Sequence, residues 1–292
     1  NNLNLNKLIK QRKTFAYMNN WDQRSKQYKY FLDNLYFPKI NIIVLSYNNF
    51  PFTENCIESI IKYTNYPNFK IILVDNNSNT AIKIKLRKLK EKYKNLELIL
   101  NKENFGFAKG NNIGLNFSKA DYYVILNNDT VVTNNWLLTF YRHFKKDEKI
   151  GLLGPVTNNI GNEARIKINY KNIDMMHLKA KKYTSANFDS TFKIKTLGFF
   201  CVMISNEILK RVGFLCEEYG RGFFEDDDYC RRVEKIDFKI ICAKDVFIHH
   251  HLSASFNKLS PSYRNKLFEK NKIIYEKKWG EWIPHEYSDY DK

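Results

Sequence analysis

Four short runs of apolar, largely β-branched residues, separated by stretches of helical character, constrain this chain more than any other feature. The runs are Ile40–Leu45, Ile71–Val74, Leu96–Leu100 and Tyr122–Leu126. A run without polar alternation reads as a strand buried on both faces. Between them, helical stretches are expected over Thr53–Tyr63, Ile82–Tyr93 and Ala108–Phe117. Strands alternating with helices of this length build right-handed βαβ units and a parallel sheet covered by helices. In such a sheet ligands bind beyond the carboxyl ends of the strands.

The residues at those ends are polar in all four cases. Ser46-Tyr47-Asn48-Asn49 follows the first run and Asp75-Asn76-Asn77-Ser78 the second. Asn101-Lys-Glu-Asn104-Phe-Gly106-Phe-Ala-Lys109-Gly110-Asn-Asn112 follows the third, and Asn127-Asn128-Asp129-Thr130 the fourth. Any one of these loops is explained by the turn and capping preferences of Asn, Asp and Ser. Four in succession favour a shared binding crevice.

The rest of the chain is less regular. Residues 1–37 are polar, basic and dotted with aromatics, and read as a helical extension or linker with helices near Lys7–Tyr17 and Trp21–Leu35. Residues 157–193 read as loops with a short helix, suited to an acceptor-binding insertion. Leu197–Ser205 reads as a strand followed by a helix over Asn206–Val212. Phe223–Ile236 is helical, Lys239–Cys242 and Val246–Ile248 are strands, and Pro261–Trp282 is a Lys-rich amphipathic helix.

Composition narrows the class. Of 292 residues 43% are hydrophobic and 15% aromatic, with only 11 Gly and 6 Pro, which excludes a disordered or collagen-like chain. No apolar run approaches the roughly 20 residues of a membrane helix. The five cysteines, Cys56, Cys201, Cys216, Cys230 and Cys242, form no zinc-type spacing and fit reduced thiols in a cytoplasmic setting. A net charge of +17 points to an anionic partner: nucleic acid, an acidic membrane face or a phosphorylated substrate.

Two clusters carry chemistry. Glu225-Asp226-Asp227-Asp228 heads a helix, flanked by Phe223-Phe224 and Tyr229-Cys230. Compensation of the helix dipole and pairing with Arg231 and Arg232 explain part of it. A carboxylate in such partly apolar surroundings also gains the basicity a general base requires. Asp129 at one strand end and a histidine of His249-His250-His251 at another suit a divalent cation on a diphosphate, because substrate phosphates supply its remaining ligands. Only one of three consecutive histidines in a strand points cleanly into one site.

Together these blocks resemble glycosyltransferase family 2. They are Ile42–Asn48, Val74–Ser78, Asn104–Asn112, Leu126–Thr130, Glu225–Asp228 with Arg232, and His249 to Ser255. Their order and spacing are most similar to the rhamnosyltransferase-like bacterial branch, over residues 38–256. The resemblance implies a GT-A fold: an α/β architecture with a Rossmann-like, mostly parallel central sheet flanked by helices. It divides the chain into a helical extension (1–37), a transferase domain (38–256) and a helical C-terminal segment (257–292). Within the domain, 38–130 is the nucleotide-binding half and 131–256 the acceptor half.

The resemblance also implies an inverting transfer of a hexosyl or deoxyhexosyl group from a nucleoside diphosphate-sugar, UDP or dTDP first, to a hydroxyl. The acceptor is a glycan or lipid-linked glycan of a bacterial surface polysaccharide such as capsule or lipopolysaccharide. Asp75 is expected at the nucleotide base, framed by Ser46, Tyr47, Asn48, Asn77, Asn104, Gly106, Lys109, Asn112 and Asn128. Asp226 matches the general base, with Glu225 and Asp228 as its acidic companions. Asp129 and His249 match the ligands of Mn2+ or Mg2+. Family members often carry two acids at the metal motif, whereas Asn127 and Asn128 stand where the earlier one is found.

The charge surplus then reads either as a surface for a diphosphate donor and peripheral attachment to an anionic membrane at its cytoplasmic face, or as a compositional habit of a Lys-rich chain. Rival classes are a degenerate domain that binds nucleotide or carbohydrate without turnover, and a basic nucleic-acid-binding protein. The chain has no RNA-recognition signature or dense basic stripe, so no nucleic-acid partner is expected. Gly106, Gly110 and Gly114 do not make the G-x-G-x-x-G of a dinucleotide oxidoreductase. Ser46-Tyr47-Asn48 is not the Gly-rich loop of a pyrophosphorylase.

Overall fold

The computed structural model describes residues 2–18, 20–22, 24–25, 36–251 and 260–285, in two compact units, 1–37 and 38–292. The first unit holds helix α1 (Asn2–Met18), whose side chains from 8 to 16 are exposed. Most of the Trp21–Leu35 helix expected from the sequence, and Ser255, lie outside the described residues.

In the second unit β1 (Ile40–Ser46) is central, with Ile40, Ile42, Ile43 and Val44 fully buried. Helix α2 (Phe50–Tyr63) leads to β2 (Phe69–Asp75), α3 (Thr80–Lys92) to β3 (Leu96–Leu100), and α4 (Gly106–Phe117) to β4 (Tyr122–Asn127). These four strands are parallel in the order β3-β2-β1-β4. The chain thus winds outward from β1 to β3 and then returns to the other side of β1. That reversal opens a crevice at the carboxyl ends of β1 and β4, the place where open α/β sheets bind ligands. Helix α4 reaches the sheet closely because a Cβ on Gly110 would lie 2.6 Å from a Leu45 methyl.

The second half joins the same sheet in mixed sense. It comprises β5 (Thr130–Val132), α5 (Trp136–Lys146), β6 (Ile150–Val156), α6 (Ile173–Ala186), β7 (Thr191–Lys193), β8 (Cys201–Ser205) and α7 (Asn206–Val212). A 3-10 turn (Glu217–Tyr219), α8 (Glu225–Glu234), β9 (Lys239–His250) and α9 (Pro261–Trp279) follow. Strand β8 pairs antiparallel with β4 and β6, while β9 runs parallel to β6 and antiparallel to β5 and β7. Three points differ from the sequence expectation. Lys239–Cys242 and Val246–Ile248 are one strand, because β9 runs on from Lys239 to His250 and pairs with β6 at Ala243 and, after a register shift, at Phe247. The β6 run, interrupted by Gly and Pro, is a fully buried strand. Helix α9 ends at Trp279, where Gly280 takes φ 83.

All five cysteines are free. Among the described residues no helix is long and apolar enough to cross a membrane.

Candidate active site

The carboxyl ends of β1 and β2 lie side by side, with Ser46 paired to Asp75. Asp75 is fully buried, and the turn after it supplies its partners: the Ser78 amide donates at 3.0 Å and the Ser78 hydroxyl also bonds the carboxylate. Ser78 Oγ in turn accepts the Asn48 amide at 2.8 Å. Loops one and two are therefore laced together around Asp75. Thr53 does the same between loops one and four. Its hydroxyl donates to the Asn49 carbonyl, lies 2.9 Å from Ser46 Oγ and accepts the Asn128 amide at 2.9 Å. Tyr47 is exposed at the mouth. Ser78 and Thr53 are not among the site residues expected from the sequence, although both are hydroxyls in or next to the polar strand-end loops.

Other expected nucleotide residues are occupied in shaping the loops. Asn77 Oδ1 accepts Lys83 Nζ on α3. Asn104 Oδ1 accepts the Asn76 side chain and the Gly106 amide, both at 3.0 Å. Asn112 is buried and staples α4 to the Leu215 backbone and to Glu217. Lys109 is exposed, with its ammonium 4.3 Å from the Phe105 ring centre. Gly106 has φ +80, and a Cβ there would meet the Gly220 carbonyl oxygen at 2.2 Å. The third loop is thereby clamped to the turn that precedes the acids.

Asp129 stands between β4 and β5, and the pairing of β5 with β9 brings the histidines to it. His250, rather than the His249 favoured by the sequence argument, is the imidazole beside it, with Nε2 3.4 Å from Asp129 Oδ1. His249 turns to the other face of β9, where Nδ1 meets Tyr170 Oη at 2.5 Å and Nε2 meets His251 at 3.2 Å. Burial first, then its histidine neighbours, push His249 down to about 4. The reason is the period of two along a strand: 249 and 251 share a face, and the bonds Asn158 makes to the 250 backbone set which face reaches Asp129.

His250 Nδ1 lies 3.1 Å from the Asn159 carbonyl oxygen, which can only accept. Nδ1 therefore carries a proton, and Nε2 is the ring nitrogen turned toward the carboxylate. A carboxylate and an imidazole nitrogen facing each other, the ring oriented by a backbone carbonyl, fit a divalent cation whose remaining ligands come from a diphosphate. A second acid and histidine group, His143, Asp189 and Asp245, also gathers its ligand atoms within 4.8 Å. There Arg142 and Lys146 already neutralise the carboxylates, so it is a structural ion-pair network.

The acids open α8. Glu225, Asp226 and Asp227 line a cleft of about 530 Å³ together with His250, Arg165 and residues of the C-terminal segment, among them Trp282 and His285. Burial, followed by the charge of the neighbouring acid, raises Glu225 to about 8 and Asp226 to about 7. Asp226 is partly exposed to the cleft and accepts the Asp227 amide at 3.0 Å. Asp227 Oδ1 bonds His285 at 2.7 Å, and this pairing raises the histidine.

Asp228, grouped with the catalytic acids by the sequence argument, does not line this cleft. It is fully buried and holds Arg232 at 2.8 Å, Lys278 at 2.5 Å and Trp279 at 2.9 Å. The helical turn explains this: 226 and 228 point to different sides of α8, with 228 facing Lys278 and Trp279 of α9 and Arg232 one turn further along beside it. His285, Trp282 and Arg165 carry no sequence signal as site residues. They lie in polar or irregular stretches that only the tertiary fold brings to the acids.

A switched parallel sheet with antiparallel strands appended, and a crevice at its carboxyl edge, is the arrangement of the GT-A glycosyltransferases. GalNAc-T7 with UDP, GalNAc and Mn2+ superposes with a TM-score of 0.60 at 16% identity, over 73% of this chain and 44% of that one. S. aureus TarS residues 1–349 in complex with UDP-GlcNAc gives 0.55 at 15% identity, over 82% and 66%. The sequence model of Glycosyl transferase family 2 matches residues 41–213, more than half of the chain. The chain belongs to that family. An uncharacterized glycosyltransferase of Haemophilus influenzae is 28% identical over 40% of this chain and 36% of its own length. Glycosyltransferase GlyG of Streptococcus pneumoniae is 30% identical over 41% and 39%. The matched region thus spans well under half of either relative.

Proposed function

We propose that this chain is an inverting glycosyltransferase that moves a sugar from a nucleoside diphosphate donor to a hydroxyl of a glycan acceptor. The observation that carries this reading is a single cleft lined both by His250, beside Asp129, and by Asp226. One end is suited to a diphosphate and the other to the proton of an incoming alcohol.

An alcohol is a weak nucleophile, and Asp226 takes its proton as the new bond forms; a carboxylate raised toward neutrality is matched to that task. Attack from the acid side, opposite the diphosphate, inverts the anomeric centre by the stereochemical logic of single displacements. Asp75, Ser46 and Asn48 frame the nucleoside, and burial together with the Asp227 charge sustains the raised basicity of Asp226. Asp129 and His250 would hold Mn2+ or Mg2+, which when bound supplies positive charge for the departing diphosphate. GalNAc-T7 with UDP and Mn2+ and TarS with UDP-GlcNAc support a UDP-sugar as the first donor to test. Relatives among teichoic acid enzymes, such as the poly(ribitol-phosphate) beta-glucosyltransferase of Bacillus spizizenii, support a cell-surface polymer as acceptor. On this reading 38–130 binds the nucleotide, 131–256 the acceptor, and the basic surface meets an anionic membrane face from the cytoplasmic side.

The test is a screen of UDP-, GDP-, CDP- and dTDP-sugars for binding and turnover, repeated with Asp226→Asn. Transfer is expected to fall by about 10²–10⁴ in that variant while donor binding survives. Wild-type-like turnover would sink the base assignment, and binding without turnover of any donor would favour a degenerate, binding-only domain.

A further inference from the structure

Beyond residue 213, where the family match stops, α9 and the tail after it form part of the same unit as the acids. They grip the turn that presents those acids. Phe223 and Phe224 both adopt left-handed backbone, φ 71 and 74. Bulky residues rarely do so, and such strain persists only where the surroundings over-determine it. The surroundings come from the C-terminal segment. The Phe224 ring lies 5.1 Å from Phe268, 5.4 Å from Tyr275 and 5.4 Å from Trp282. Buried Asn271 donates to the Tyr219 and Gly222 carbonyls, each at 2.7 Å. Beyond the turn, Lys278 and Trp279 hold Asp228, and His285 Nε2 holds Asp227 at 2.7 Å.

We propose that Pro261–His285 is a positioning strap for the acceptor side of the site. It holds the strained Phe223–Phe224 turn in place, and His285 engages the Asp227 carboxylate so that Asp226 alone of the two is left for an acceptor hydroxyl. The proposal rests on the reading of Asp226 as the base. Packing alone would explain the aromatic contacts, but it does not require a histidine on Asp227. The charged groups around His285 are Asp227 and Asp226 from α8 and Glu163 from the loop after β6. Asp226 faces Glu225, Asp227 and His285, with Arg165 and His250 lining the same cleft.

The experiment uses the full, ligand-free chain and follows the His285 ring and the aspartate carboxyl carbons by NMR titration. In the wild type, His285 should titrate above an ordinary histidine and return to the ordinary range in Asp227→Asn. The titration assigned to Asp226, by its loss in Asp226→Asn, should move to higher pH in His285→Gln and stay in place in His285→Lys, which keeps a cation on Asp227. In hydrogen exchange, Trp282→Leu should speed the amides of 223–228 by about tenfold while β1 and β2 keep their protection. An ordinary His285 titration, an unmoved Asp226 titration in His285→Gln, or unchanged exchange at 223–228 would overturn the proposal. Wild-type-like transfer by Asp226→Asn overturns the base assignment instead and leaves these titrations standing, so the two failures are told apart.

Discussion

Neighbouring acids of one helical turn do different work here because burial and partners differ atom by atom. Asp226 opens into the cleft, whereas Asp228 is sealed among Arg232, Lys278 and Trp279. Removing Asp228 leaves Arg232 partly buried and uncompensated and the Trp279 N–H without its acceptor. Asp228→Ala is therefore expected to destabilise the fold by about 2 kcal/mol, read from chemical denaturation, an effect on stability first and turnover second. The histidines divide in the same manner. On the proposed metal reading, His250→Ala should raise the Mn2+ concentration needed for half-maximal turnover by about tenfold or more. Because the His249 ring turns to Tyr170 on the other face of β9, His249→Ala should leave that concentration unchanged; the reverse result would restore His249 as the metal-side residue.

At the scale of elements, the two halves of the site are tied by backbone contacts. Asn112 joins α4 to the Leu215 loop, and Gly106 sits against Gly220 at the foot of the acid-bearing turn. A methyl group at 106 would have to displace backbone and would also meet the penalty of φ +80. Gly106→Ala is expected to destabilise by roughly 2–4 kcal/mol in denaturant titration. Donor affinity and acceptor turnover should fall together in this variant, since one contact serves both loops. Loss of neither would show that the two loops are positioned independently.

For the whole molecule, the acid cluster sets a pH dependence of stability. Glu225 and Asp226 are raised on folding, so the native state holds protons that the unfolded chain releases above its ordinary carboxylate range. Stability from this source falls as pH rises through neutrality. His285 is also raised, so the stability it adds is complete below the ordinary histidine value and is lost as pH climbs through its folded value. Both signs agree. The thermal midpoint is expected to drop between about pH 4.5 and 8, the window bounded by the ordinary Glu value and the raised Glu225, with His285 adding to the fall above its ordinary value of 6.5. Glu225→Gln should flatten that slope; a slope unchanged in the variant would remove the cluster as its source.

Much of this protein is local in origin. The buried runs at 40–45, 71–74, 96–100 and 122–126 dictate strands whatever surrounds them, and their polar ends lay out the crevice in chain order. The fold class, the family and the candidate acids at 225–228 were therefore legible without coordinates. Four matters were decided only in three dimensions. They are which histidine reaches Asp129, which acid turns to the cleft, the role of Thr53 as a link, and the arrival of Trp282 and His285 beside Asp227. Each depends on the register between strands or on a contact across tens of residues, 58 in the case of His285 and Asp227. Periodicity specifies which residues share a face but not what that face meets, and the meeting is set by how whole elements pack.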